Sequence, residues 1–251
     1  MPYHFLDFPG VRTLKTRQYQ LTQRIVADVA KKLAMGCVHG PAGTGKTFAV
    51  EAALEDLIKI PIVYCSLSTM NNVTPFQLAK ELFKSVTGAE PPRVPSRFPL
   101  VEALEDYLVA PERLIVLDEA QRLSGDCLEM IRQLHDSRKT RFAVLYVGGN
   151  GCWERLSREP MLKSRIFRRL PFPPLSPEAV PRLIRYYHPI WAQADNELLT
   201  SIDETYAEGV LRNWASFTMT AAELCSESGR EHVDDVVVGN VYALMGGGVE
   251  D

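Results

Sequence analysis

The chain has 251 residues, 46% hydrophobic and 24% charged, the balance of a folded globular protein and not of a disordered one. Its formal net charge is −3 and its pI about 6.0, which excludes a whole-molecule field that gathers nucleic acid; any such contact must come from a local patch. No apolar run reaches the ~18 residues of a membrane span, and Met1–Phe8 lacks the basic-then-apolar pattern of a signal peptide, so the expectation is a soluble, cytoplasmic protein with no membrane partner.

Residues 1–15, with Pro2, Pro9 and Gly10, read as an extended lead-in. From 16 to 33 the pattern is helical, with Leu21, Ile25, Val26, Val29 and Leu33 on one face. Met35–His39 is a short buried-strand candidate. Gly40-Pro41-Ala42-Gly43-Thr44-Gly45-Lys46-Thr47 follows, with the spacing G-x-x-x-x-G-K-T of a P-loop, and the run from Phe48 to Ile58 is helical. Strand, glycine loop, helix is the order this motif needs. Pro61–Cys65 is a second strand candidate. Thr74-Pro75-Phe76-Gln77 gives an N-cap, a proline at the first helical position and a capping-box glutamine, opening a helix to about Val86.

Four prolines make 88–99 a loop, and 100–109 returns to helix. Arg113–Asp118 is an apolar run ending in a carboxylate, the mark of a buried parallel strand. A helix over 125–137 and a strand over 142–147 follow, the latter ending at Gly148-Gly149-Asn150. A weak last strand is expected at 170–172. Ser176-Pro177-Glu178 reads as a helix start, and helices are expected at 177–187, 196–206, 210–226 and 232–243. The expected organisation is thus a lead-in (1–15), an α/β core (16–175), an all-helical region (176–245) and a flexible tail (246–251). Trp191, Trp214 and Phe217 read as core, and His39 as packed. The five cysteines form no zinc-spaced cluster, and Cys37 and Cys65 read as small core residues of a reducing compartment.

The chemistry concentrates in two places. The P-loop backbone from Gly40 into Phe48 directs N–H groups at phosphate oxygens, the following helix adds its positive end, Lys46 reaches the β- and γ-phosphates, and Thr47 offers a hydroxyl to Mg²⁺. At the end of the 113–118 strand, Asp118 is suited to the ion's water shell and Glu119 to orienting or deprotonating the attacking water. Asn150, one strand later, is a candidate to touch the γ-phosphate or that water. Lys163-Ser164-Arg165-Ile166-Phe167-Arg168-Arg169 is a basic segment, and Arg212 opens a helix of the last region. Arg138-Lys139-Thr140-Arg141 reads as a solvated turn.

This set resembles the AAA+ ATPases, in the family's order, over residues ~16–245. The resemblance implies an α/β P-loop core with sheet order 5-1-4-3-2, a helical lid, ATP and Mg²⁺ as cofactors, and a homo-oligomeric ring or filament. It also implies roles: Thr47 and Asp118 for the metal, Glu119 for the water, Asn150 as sensor 1, Arg212 as sensor 2. Arg165, or alternatively Arg168 or Arg169, would be the arginine supplied to a neighbouring subunit. Within the family the leading helix, Leu-Asp-Glu-Ala-Gln and Leu211-Arg212-Asn213-Trp214 are similar to transposition regulators of the TniB, TnsC and MuB type. Those assemble with ATP on duplex DNA and engage a transposase and target-selector proteins. Asp-Glu-Ala-Gln also occurs in ExeA-type secretion ATPases and in relatives of origin-recognition initiators, many of which carry a membrane segment or winged-helix domain; neither is recognisable after residue 245. By the resemblance, DNA-contacting candidates are Asn71, Asn72, Arg93, Arg97 and Arg122, groups that hold phosphates without reading sequence.

Overall fold

The computed structural model describes residues 7–57, 59–67 and 73–246. In the first part, α1 (Arg17–Lys31), β1 (Met35–His39), α2 (Lys46–Glu55), β2 (Ile62–Ser66), α3 (Pro75–Thr87), α4 (Phe98–Tyr107), β3 (Arg113–Asp118), α5 (Gly125–Asp136), β4 (Phe142–Gly148), α6 (Cys152–Ser157), α7 (Pro160–Lys163) and β5 (Ile166–Pro171) alternate along the chain. The five strands form one parallel sheet in the order β2-β3-β4-β1-β5, which read from the other edge is the expected 5-1-4-3-2.

Sequence pattern explains the layering. β1 and β4, buried along their whole length, are continuous apolar runs because helices cover both of their faces. The edge strand β2 alternates, with Val63 and Cys65 buried and Ile62, Tyr64 and Ser66 exposed. Met35, Cys37, Ile115, Leu117, Val144 and Tyr146 pack with α3, α4 and α5 on one face. Val38, Leu114, Val116, Leu145 and Val147 pack with α1 and α2 on the other. α3 starts as its sequence dictates, with a complete capping box between Thr74 and Gln77 and a left-handed Gly88 at its end.

By packing, this part, Arg17–Ala42 with Lys46–Phe172, is one compact unit; a second gathers the lead-in to Thr16, Gly43–Gly45 and the chain from Pro173. The second unit is helical: α8 (Val180–Tyr187), α9 (Asn196–Ile202), α10 (Leu211–Glu227) and α11 (Asp235–Leu244). Trp191, Trp214 and Phe217 lie fully buried in its core, the two indoles edge to face at 5.8 Å. Asp203 is buried beside them, and its Oδ1 accepts hydrogen bonds from Gly209 N and Trp214 Nε1, both at 2.8 Å. The lead-in is fastened here: Arg12 N donates to Tyr187 O at 2.8 Å, and His188 Nε2 lies 2.8 Å from Pro9 O.

Several elements differ from expectation. The helix expected at 177 begins at Val180. Ser176 O instead closes a turn, accepting from Ala179 N and Val180 N, and Pro181 occupies the first helical turn, where its missing N–H costs nothing. The helix expected over 196–206 ends at Ile202 and widens into a π-turn over Asp203–Ala207, where the Asp203 carboxylate turns to Gly209 and Trp214. The last strand is longer than expected, and it absorbs Arg168 and Arg169 from the basic segment. The short helices α6 and α7 carried no periodicity long enough to read. No described helix is long and apolar enough to cross a membrane.

Candidate nucleotide site

β1 delivers the P-loop at its C-terminal end. Gly40 has φ 151°, and a Cβ there would lie 2.3 Å from Phe172 O; only glycine permits that approach. Lys46, at the start of α2, is buried to 8% exposure, and its Nζ donates to Pro41 O at 2.5 Å, so the ammonium lies inside its own loop. Thr44 is buried and Thr47 is exposed in the first turn of α2. Gly43, φ 77°, belongs by packing to the helical unit, where Arg212 N donates to Gly43 O at 3.0 Å and a Cβ on Gly43 would meet Val210 at 2.7 Å and Arg212 Cβ at 2.9 Å.

β3 ends at Asp118, both of whose carboxylate oxygens are engaged. Glu119 N donates to Oδ1 at 2.9 Å, and Tyr64 of β2 donates its hydroxyl to Oδ2 at 2.6 Å. Partial desolvation of the ring against the sheet edge, then this bond to a carboxylate, raises the Tyr64 pKa, so the group is a phenol donor at neutral pH. Glu119 stands in the left-handed region, φ 60° and ψ 37°. Gln121 Nε2 donates to Glu119 Oε2, and Gln121 Oε1 accepts from Gly149 N at 2.8 Å. Arg122 Nε lies 3.9 Å from the same Glu119 oxygen. Asn150 follows β4 in an exposed turn, next to the residue Gln121 holds.

The residues present fit a nucleoside triphosphate with a divalent ion: glycines bent as a phosphate cradle requires, a buried lysine in the loop, and a strand-end carboxylate with a hydroxyl partner. Sequence reasoning missed Tyr64 and Gln121. Gln121 belongs to the quoted Asp-Glu-Ala-Gln, but only the fold reveals its second contact.

The basic segment divides by location. Arg165 precedes β5, whose start pairs with Met35, while the P-loop follows His39; the four steps of β1 separate them by about 13 Å. Arg165 Nε donates to Asp136 Oδ1 at 2.7 Å and one terminal nitrogen donates to Met161 O at 2.7 Å. Arg168 pairs with Asp28 at 3.2 Å. Arg169 donates its Nε to His39 Nε2 at 2.9 Å and lies over the Trp153 ring at 4.1 Å. Burial and then the Arg169 charge lower the His39 pKa, in keeping with a neutral imidazole that accepts this bond. Among the DNA-contact candidates, Arg93 is exposed, Arg97 lies 5.3 Å from the Phe98 ring, and Arg122 neighbours Glu119; Asn71 and Asn72 lie outside the described residues.

Sheet order, P-loop and acidic pair together define a P-loop ATPase fold of the AAA+ class. A protein-family model described as AAA domain matches residues 30–156, and the chain belongs to that family. Its fold is similar to that of Cdc6p from Pyrobaculum aerophilum (TM-score 0.71, 20% identity, covering 93% of this chain and 68% of that one). It is also similar to the ORC1 protein of Aeropyrum pernix, solved in complex with DNA (0.65, 20%, 94% and 66%). A third is the RuvB Holliday junction branch migration motor of Thermotoga maritima (0.57, 13%, 93% and 71%). At these identities the likeness is one of fold, and the chain spans about two thirds of each relative's length. No curated protein sequence matches it.

Proposed function

We propose that this protein is an ATP-dependent, DNA-binding regulator of transposition that assembles on duplex DNA and engages a transposase and target-selector proteins. ATP hydrolysis controls its release. The observation that carries the ATPase part is the acidic pair Asp118-Glu119 at the end of β3, in the same parallel sheet as the β1 strand that leads into a P-loop whose lysine is buried in the loop. In this reading residues 16–175 are the ATPase core, 176–245 the lid, and the protein acts in the cytoplasm.

Lys46 and the backbone N–H groups from Gly40 to Phe48 hold the phosphates. Thr47 and Asp118 are the groups that would hold Mg²⁺, which withdraws charge from the phosphate oxygens. Glu119 accepts the proton of the attacking water as its oxygen bonds to the γ-phosphorus and the bond to the β–γ bridging oxygen breaks. Asn150 orients the water, and Arg212, fastened to Gly43 through its backbone, supplies positive charge. Arg165, at the sheet end away from its own P-loop, serves a neighbouring subunit's nucleotide in this reading; to act there it exchanges Asp136 for phosphate. Arg93, Arg97 and Arg122, with Asn71 and Asn72, provide phosphate contacts, few per subunit, so DNA binding gains its strength from many subunits on one duplex. Support for DNA as the partner comes from the fold it shares with the DNA-complexed ORC1 protein and the RuvB branch migration motor.

Electron microscopy on long duplex DNA tests this. Rings or filaments with ATP that disappear with ADP, and persist in Glu119→Gln, are the expected result. Bare DNA in every nucleotide state alongside steady ATPase activity would replace this function with an ExeA-type motor acting on protein partners.

A further inference from the structure

In the proposed mechanism Glu119 takes the proton of the attacking water, yet its backbone leaves the regular strand at a left-handed turn, so the side chain gains from an anchor beyond its own element. Gln121 provides one. Its amide donates to the Glu119 carboxylate and accepts from Gly149 N at 2.8 Å, at the end of β4. The fit is close on the β4 side: a Cβ added to Gly148 would meet Gln121 Oε1 at 2.6 Å, and one added to Gly149 would meet Gln121 Nε2 at 3.3 Å. An amide is required because both bonds run through one planar group with opposite polarity; a carboxylate or an amine satisfies only one end.

We propose that Gln121 is a positioning residue that ties the Glu119 carboxylate to the Gly149–Asn150 turn, fixing the spacing between the two groups that handle the attacking water. This rests on the ATPase assignment. A misplacement of about 1 Å at such a site costs on the order of 10²-fold in rate. Gln121→Ala is therefore expected to lower kcat about 10- to 100-fold, with KM for ATP and the affinity for a fluorescent ADP analogue within about twofold of wild type. Gln121→Glu keeps the acceptor for Gly149 N but sets a like charge against Glu119, and is expected not to rescue. In a Glu119→Gln background, Gln121→Ala should add no further loss, because the two act as one unit. Hydrogen exchange at the Gly149 amide should quicken in Gln121→Ala while the β4 amides keep their protection. Wild-type kcat in Gln121→Ala, a rise in kcat, or an additive loss in the double variant overturns the inference. Wild-type protein without ATPase activity would instead overturn the assignment on which it rests.

A different observation lies in the helical unit. Arg12, Arg182 and Arg185 converge with Glu178, Pro181 and Tyr186 on a cleft of about 790 Å³. Arg185 is pre-oriented, donating to Ala194 O at 2.9 Å and Asn196 Oδ1 at 2.7 Å, and Arg12 is anchored through its backbone to Tyr187. Glu178 is engaged by its own backbone N–H and by Ser176, which hold its carboxyl below the usual range, so the one acid in the lining is committed locally while three arginines line the same cleft. Tyr186 is 65% exposed. We infer that this cleft docks an acidic, partly apolar peptide segment of a partner protein. The guanidiniums complement carboxylates, the volume is that of a small-ligand or short-peptide site, and the Pro181 and Tyr186 walls give apolar contact that a phosphodiester backbone leaves unused.

Fluorescence anisotropy of the intact protein with a short labelled peptide alternating Glu or Asp with Leu or Phe tests it. Saturable binding that weakens with salt, and by at least about tenfold in Arg12→Glu/Arg182→Glu with ATPase activity unchanged, is expected. No saturable binding, binding indifferent to the double reversal, or duplex DNA that displaces the peptide and shows the same dependence on the reversal would overturn it, the last assigning the surface to DNA.

Discussion

Asp203 allows a stability effect to be worked from the structure and followed into the site. It is 5% exposed, and Oδ1 alone accepts from Gly209 N and from the indole of Trp214, which is fully buried. Asp203→Ala leaves both donors without an acceptor. Each buried unsatisfied donor costs about 1–3 kcal/mol, and the sum of about 2–6 kcal/mol is partly offset because a carboxylate no longer has to be buried. A net loss of about 3 kcal/mol is expected. Asp203→Asn keeps an acceptor oxygen and exchanges charge-assisted bonds for neutral ones, an expected loss of about 1 kcal/mol. Urea unfolding followed by tryptophan emission measures this, since Trp191 and Trp214 both lie in the helical core. The Gly209–Val210 turn also leads into Arg212, whose N–H holds Gly43 O, so Asp203→Ala should weaken nucleotide binding as well. An Asp203→Ala protein within about 0.5 kcal/mol of wild type would refute the accounting. Equal losses in Ala and Asn would show that charge, and not acceptor geometry, holds the turn.

Gly40→Ala puts a Cβ 2.3 Å from a backbone oxygen in a left-handed residue; loss of nucleotide binding by calorimetry is expected, with the overall helical and strand content unchanged by circular dichroism. Acid should loosen the outer face of α5. Arg132 holds the Glu129 carboxyl down to about 2, and Arg165 holds Asp136 below its ordinary value. Both folded pKa values are depressed, so their stabilisation is complete above the ordinary carboxylate pKa of about 4 and is lost as pH falls from there toward about 2. Both side chains are partly exposed, so the thermal midpoint should fall shallowly over that window, and Arg165→Ala should flatten the fall.

What the sequence made legible was local. Continuous apolar runs at 35–39, 113–118 and 142–147 announce strands covered on both faces, and the glycine loop with its lysine announces phosphate binding, because each signal sits within one element. The anchors of the acidic pair were not legible, since Tyr64 reaches Asp118 across 54 residues and Gln121 reaches Gly149 across 28; register and turn geometry make those contacts. The helix start at Ser176 was misread because the same residues that cap a helix also close a turn, and Pro181 rather than Pro177 lies in the first helical turn. The lead-in looked featureless, yet Gly10 (φ 91°) approaches His188 so closely that a Cβ would lie 2.5 Å from Nε2, a constraint set by a partner 178 positions away.

The left-handed backbone of Glu119 has an evolutionary implication. A residue bearing a Cβ in that conformation costs about 1–2 kcal/mol relative to glycine. Glu119→Gly is therefore expected to give a protein that resists heat better than its parent while losing the acid. Selection for durability alone would push position 119 toward glycine or asparagine, and a glutamate persists there only while its carboxylate confers an advantage larger than the stability it forfeits. Descendants that abandon hydrolysis should be found first by a change at this position, and they should melt later.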